Sequence, residues 1–252
     1  MFLEILPLSL VEFLLCILII FIAYTIKGLS GFGSGLVAIP LLVLFLPITI
    51  VVPVLGLLSY TGTVYQSYSY RHAVSWSNLL PLLPFSLLGI VLALWLLVNV
   101  ERYILTFWLG VFIFCYSVYS LFMLSIKPGS RYWAILAGSF AGLVGALFGT
   151  GGPFYVIYLK MRQLGKAQFR ATIVMIFFFD GGARMAGYFL SGLFTVKMLM
   201  LVLLLLPVLG LAMYVGNHLH IKINELRFNQ LVSILLLVSG LSLMVKSIFQ
   251  LV

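Results

Sequence analysis

Apolar runs follow one another along the whole chain, many approaching about twenty residues and each ended by a polar or charged residue, and this pattern decides the fold class. Crossing roughly 30 Å of hydrocarbon takes about 20 apolar residues in a helix. A membrane barrel would instead show alternating segments of about ten residues. Only 8% of the 252 residues are charged and 64% are hydrophobic, whereas a soluble domain carries about a quarter charged. Lipid is the solvent that suits such an exterior, and the expected fold class is an all-α polytopic membrane protein.

Ten helical segments are expected, at about 8–27, 31–46, 50–70, 77–98, 102–125, 131–148, 151–160, 168–190, 195–217 and 228–250. No hydrophilic stretch is long enough for a soluble domain, so function must reside inside the membrane or in short loops. The formal charge of +9 is spread over those loops, with no aromatic-interleaved basic patch, which argues for membrane orientation and against nucleic acid. Cys16 and Cys115 lie apart in apolar segments, and His72, His218 and His220 lie in expected loops. Neither set has metal-ligand spacing, so no metal and no cofactor is expected. The N-terminus has no basic region ahead of its apolar run and carries Glu4 and Glu12, so it reads as a retained first span.

Two segments are short, and each begins in a glycine cluster. Residues 28–40 read GLSGFGSGLVAIP and residues 142–158 read GLVGALFGTGGPFYVIY. A shift of 118 places Gly31 on Gly149, Gly33 on Gly151, Ser34 on Gly152 and Gly35 on Pro153. It also lays the apolar run at 50–70 over 168–188. Two repeats are therefore expected, 1–126 and 127–252, together one transmembrane domain with broken helices meeting near the midplane. With an odd number of spans in each, the copies face opposite ways. If every segment crosses, ten basic loop residues (Lys27, Arg71, Lys127, Arg131, Lys160, Arg162, Lys166, Arg170, Lys222, Arg227) share one side, against Arg102, Lys197 and Lys246 on the other. If segments two and seven re-enter instead, Arg71, Lys127 and Arg131 change sides and Arg102 moves the other way. The first arrangement, with both termini outside, fits the rule better.

Each glycine weakens a helix by about 1 kcal/mol relative to alanine, so clusters of them need a reason. Close helix packing is one. The other is a helix broken so that its freed N–H groups face an anion. On that second reading Gly31, Gly33, Ser34 and Gly35 in one half, and Gly149, Thr150, Gly151 and Gly152 in the other, line a dry anion site, with Ser30 a further hydroxyl donor. Pro153 suits a helix start. Asp180 and Arg184 stand four apart in FFFDGGARMAGYF, on one helix face at membrane depth, where charges usually pair. Either they only neutralise each other, or Arg184 clamps an anion while Asp180 serves as its counter-ion or carries a proton. Lys27 either reaches the same site or snorkels to the interface. Gln66 falls on Arg184 under the shift and is a candidate neutral donor.

The stretches KGLSGFGSGLVAIPLL (27–42), GLVGALFGTGGPFYVIYL (142–159) and FRATIVMIFFFDGGARMAGYFLSGLF (169–194) resemble the TauE/SafE family of sulfite exporters and organosulfonate transporters. The resemblance covers most of the chain. It implies a repeated fold with the two motifs around a central site, and transport of sulfite, sulfoacetate or related C2–C3 sulfonates. Ser34 in mid-triplet and Pro153 after the second motif depart from the family's usual form. The expected partners are the bilayer of a bacterial or archaeal inner membrane and a small anion, and a homodimer is compatible with them. Against this stand a membrane-embedded enzyme or assembly factor, and an uptake carrier or channel for another anion. The deep ionisable groups, Asp180, Arg184 and Lys27, are a poor set for catalysis. Arg184→Ala is expected to remove anion binding with folding intact.

Overall fold

The structure, a computed structural model, describes residues 10–30, 33–122, 127–218 and 225–249. Helices occupy the expected segments: α1 (Leu10–Ser30), α2 (Ser34–Val43), α3 (Ile48–Tyr70), α4 (Trp76–Asn99), α5 (Arg102–Leu121), α6 (Trp133–Phe148), α7 (Gly152–Met161), α8 (Lys166–Leu190), α9 (Val196–His218) and α10 (Glu225–Phe249). Helix α4 opens with a short turn and a 3-10 turn over Leu80–Leu82 before regular helix from Leu83. No strand occurs among the described residues.

Among the described residues, six helices are long and apolar enough to cross a membrane: α1, α3, α4, α5, α8 and α9. Helix length and composition support six of the ten expected crossings among the described residues. At 1.5 Å per residue the ten residues of α2 or of α7 reach only about 15 Å, half the hydrocarbon. The outward faces carry large apolar side chains, such as Leu88, Val91 and Trp95 on α4, each at least 60% exposed, as contact with acyl chains requires.

The chain packs as two units interleaved in sequence. One comprises residues 1–54, 102–123 and 194–252, and the other residues 55–101 and 124–193. A repeat is defined by sequence order and not by packing, so the division 1–126 and 127–252 is a separate matter.

In the first unit α1 lies on α9 and α5 on α10. Lipid tails are as apolar as leucine, so helices here associate through small residues that let backbones close in. A Cβ on Gly110 would stand 2.8 Å from the Gly240 carbonyl oxygen, and one on Gly216 would overlap the carbonyl of Thr25. Lys246, in the last turn of α10, donates from Nζ to the carbonyls of Val43 (3.1 Å) and Leu44 (2.9 Å). The sequence reading counted it as a loop cation. In the structure it caps the C-terminal end of α2, where a helix carries partial negative charge.

In the second unit α4 and α6 run side by side from the same end. A Cβ on Gly142 would overlap the carbonyl of Ser86, and one on Gly138 would stand 2.7 Å from that of Leu82. Helix α7 then folds back along α6: Phe154 stacks on Phe140 at 5.8 Å, and the Gly129 N–H donates to the Met161 carbonyl at 3.1 Å. The chain thus returns at residue 161 to the end it left at residue 129. Arg170 lies over the ring of Tyr70, and the Ser75 N–H donates to Thr172 Oγ1, so the connections 71–75, 127–131 and 162–166 share that end. Arg71, Lys127, Arg131, Lys160 and Arg162 belong to these connections and the helix ends beside them, and α7 is too short to cross by itself.

Helix α8 lies antiparallel to the part of α3 in this unit, since Gly56 faces Met185 and Tyr188 while Tyr60 faces Gly181. Tyr60 and Phe178, which coincide under the shift of 118, stack at 6.1 Å. The same shift carries Ser34–Val43 onto Gly152–Met161, Ser30 onto Phe148 and Ile48 onto Lys166, all of them helix ends. Tyr155, Tyr158, Leu159, Ile173 and Ile176 form the heart of this unit's core.

Candidate functional site

Helix α8 presents Asp180, Arg184 and Tyr188 one turn apart, so a single polar stripe points into the second unit. Asp180 Oδ1 accepts hydrogen bonds from Ser86 Oγ on α4 (2.6 Å) and from the Tyr155 hydroxyl on α7 (2.8 Å). Its Oδ2 lies 3.0 Å from Arg184 Nε. The carboxylate is 1% exposed, which explains why both oxygens are held. The bland reading, in which the pair neutralises itself, is therefore part of the truth.

Arg184 is not used up by that pair. Its Nη1 donates to the Gly145 carbonyl at 2.8 Å, near the end of α6, and Tyr188 donates its hydroxyl to the next carbonyl, Ala146. The Gly145 carbonyl also accepts the Gly149 N–H at 2.9 Å, so both its lone pairs are engaged. Nη2 has no acceptor among the described residues, and the side chain is 13% exposed.

The break between α6 and α7 is where that guanidinium sits. Gly149 closes α6 in the left-handed region at φ 64°, a conformation that costs a residue with a Cβ about 1–2 kcal/mol. After it the N–H groups of Thr150 and Gly151 meet no acceptor among the described residues. Helix α7 begins at Gly152, with Pro153 in its first turn. A Cβ on Gly145 would lie 3.6 Å from Arg184 Nη1 and 3.7 Å from the Gly151 nitrogen, so a fixed cation and a freed amide flank one point. Thr150, only 3% exposed, has a buried hydroxyl without a hydrogen-bond partner. The donors left over at this break are two amides, a hydroxyl and half a guanidinium. An oxyanion is the ligand that satisfies donors of this kind.

Of the residues the sequence nominated, Gly149, Thr150, Gly151, Gly152, Asp180 and Arg184 come together here. Gln66 is buried on α3 in the same unit but makes no hydrogen bond to Arg184. In the first unit Lys27 is buried (4% exposed) in the last turn of α1, with Nζ 5.9 Å from the Tyr24 ring centroid, so it does not snorkel. Gly33 precedes α2 at φ 95°, Ser34 is buried at the helix start, and Gly35 follows. Gly31 lies outside the described residues, as does the side chain of Ser30. Ser86, Tyr155 and Tyr188 were not foreseen. Tyr188 carries a signal, four residues beyond Arg184, whereas a lone serine or tyrosine in an apolar run carries none. Among the described residues no three His, Cys, Asp or Glu side chains gather as metal ligands would.

Compared with protein-family models, residues 16–243 match the model described as sulfite exporter TauE/SafE. No curated protein and no solved structure matches the chain.

Proposed function

The chain belongs to the sulfite exporter TauE/SafE family, and from that premise we propose that it is a secondary transporter exporting sulfite or a C2–C3 sulfonate such as sulfoacetate. The family is one of membrane transporters, and the apolar helices agree with a multi-pass protein. On this reading the anion binds at the α6–α7 break, to the Thr150 hydroxyl, the N–H groups of Thr150 and Gly151, and Arg184. Asp180 is the counter-ion that keeps Arg184 oriented, and a carrier of the coupling proton if export is proton-linked. Lys27, Ser30, Gly31, Gly33, Ser34, Gly35 and Gln66 serve the mirrored half by the same helix-end chemistry.

An inverted repeat over 1–126 and 127–252 underlies the alternation of access. The coincidence of helix ends under the shift of 118 supports it, as does the antiparallel stacking of Tyr60 on Phe178. The basic end of the second unit is assigned to the cytoplasm of the inner membrane, with both chain termini outside. An inside-negative potential favours exit of a monovalent anion by about 2.3 kcal/mol per 100 mV, so export can run on the potential alone.

The observation that carries this reading is the buried, partnerless hydroxyl of Thr150 beside freed amides and a cation. Thr150→Val keeps the shape and deletes the hydroxyl. A merely structural threonine would gain stability on losing an unsatisfied polar group. A ligand-binding one gives that same unimpaired melting temperature and a KM for sulfite raised about tenfold or more in proteoliposomes, the worth of one hydrogen bond to an anion. Unchanged transport by the folded variant would overturn the site.

A further inference from the structure

The other end of α7 holds a second group of donors without an acceptor. Tyr158 is 1% exposed, and its hydroxyl is buried with no hydrogen-bond partner. Arg162 stands one turn further along, at the end of α7, where its N–H donates to the Tyr158 carbonyl, and the Gly129–Met161 backbone bond brings the segment that carries Arg131 to the same end. Arg162 is held in place from two sides: Nε donates to Asn78 Oδ1 (2.9 Å) and Nη1 to the Gly129 carbonyl (2.6 Å). Asn78 in turn donates to Ser75 Oγ at 2.9 Å. The Nη2 of Arg162 has no acceptor among the described residues.

No carboxylate of this unit can serve these donors. Its sequence holds two, Glu101 and Asp180. Asp180 is committed to Ser86, Tyr155 and Arg184. Glu101 follows the far end of α4, about 34 Å along the helix from Asn78. Arg131 also precedes the first turn of α6, where a cation is unfavourable next to the positive end of the helix. A bound anion would reverse that penalty.

We propose that Tyr158, Arg131 and Arg162 form an oxyanion site at the basic end of this unit, about 9 Å along α7 from the glycine break. The ligand is a sulfate- or phosphate-like group with several acceptor oxygens, either free in water or on the headgroup of an anionic lipid. This inference needs only the donors and holds whether or not the break carries the transported anion.

Trp133 reports on the site, since its Cδ1 lies 3.3 Å from a Cβ built on Gly129. With the other three tryptophans (Trp76, Trp95, Trp108) replaced by Phe, the purified protein is titrated with sodium sulfate against sodium chloride at constant ionic strength. Separately, its emission is compared in phosphatidylcholine nanodiscs with and without phosphatidylglycerol. A saturable sulfate response is expected that survives Arg184→Gln and weakens about fivefold or more in Tyr158→Phe and Arg131→Gln, each of which removes one charge-assisted bond. A response to phosphatidylglycerol alone, lost in the same two variants, identifies the lipid headgroup as the source. Tyr158→Phe removes an unsatisfied hydroxyl, so its melting temperature should not fall and misfolding is excluded as a cause. The site is overturned if neither probe moves Trp133, or if the response disappears in Arg184→Gln while Tyr158→Phe keeps it.

Discussion

Replacing Arg184 by Gln separates what this residue does for the fold from what it does for a ligand. The change leaves Asp180, 1% exposed, facing no cation among the described residues. Removing one partner of a buried pair costs about 3–5 kcal/mol. Ser86 and Tyr155 still hold the carboxylate, which sets the expectation at the lower end, about 3 kcal/mol. Interhelical side-chain hydrogen bonds in membranes average about 0.6 kcal/mol, so Ser86→Ala is expected to cost several-fold less than Arg184→Gln. Adding Asp180→Asn to Arg184→Gln removes the stranded charge and should recover about 2 kcal/mol. At about 2–4 °C per kcal/mol for a chain of this length, Arg184→Gln should lower the melting temperature by about 6–12 °C, and the double variant by less than half of that. Scanning fluorimetry in detergent at a fixed heating rate measures this, the fixed rate being needed because such unfolding is commonly irreversible. Losses that simply add, or a Ser86→Ala variant as damaged as Arg184→Gln, would refute the buried-pair account. Sulfite binding then answers the second question: a restored fold without thermal stabilisation by sulfite makes Arg184 a ligand, whereas retained stabilisation makes the pair purely structural. The expectation that Arg184→Ala leaves folding largely intact is put to the test by the same measurement.

Other outcomes follow from the same geometry. Gly151→Ala should be far more damaging than Gly33→Ala, because a Cβ at 151 overlaps the Ala141 carbonyl whereas one at 33 meets nothing within 4 Å. Gly33→Ala then bears only the left-handed backbone cost of about 1–2 kcal/mol, and equal melting temperatures for the two would contradict the packing described. Gly142→Leu should abolish the monodisperse detergent peak, since it forces α4 and α6 apart at Ser86, and a well-folded variant would sink that claim. Lys246→Met uncaps α2 and should lower stability by about 1 kcal/mol, read as a shift of a few degrees that Lys246→Arg largely avoids.

The membrane class, the helical segments and the paired motifs were legible in the sequence because lipid imposes a length and a polarity on every segment it surrounds. The breaks were legible for a related reason. A glycine that closes a helix in the left-handed region, as Gly149 does, and a proline one turn later are local choices written into the chain. Asp180 and Arg184 stood out because buried charge is rare in such a chain. Partners drawn from other helices were not legible. Nothing in LPFSLLG says that Ser86 will meet Asp180, because the two stand 94 residues apart on different helices. The contact that seats α7 was hidden too. Length alone marks it as a short apolar helix, and the bond from Gly129 to Met161 is what turns it back.

That turning back bears on how the protein is made. A ten-residue helix offers a translocon about 15 Å of apolar length, too little to be recognised as a span by itself. Helix α6, with sixteen residues, falls short as well. Insertion of the two as one hairpin, finding its depth against α4, which precedes them in synthesis, would supply the missing length. Substitutions along the glycine seam of α4 and α6 should accordingly appear first as chains with residues 149–152 left on the wrong side of the bilayer, before any defect in the finished carrier can be measured.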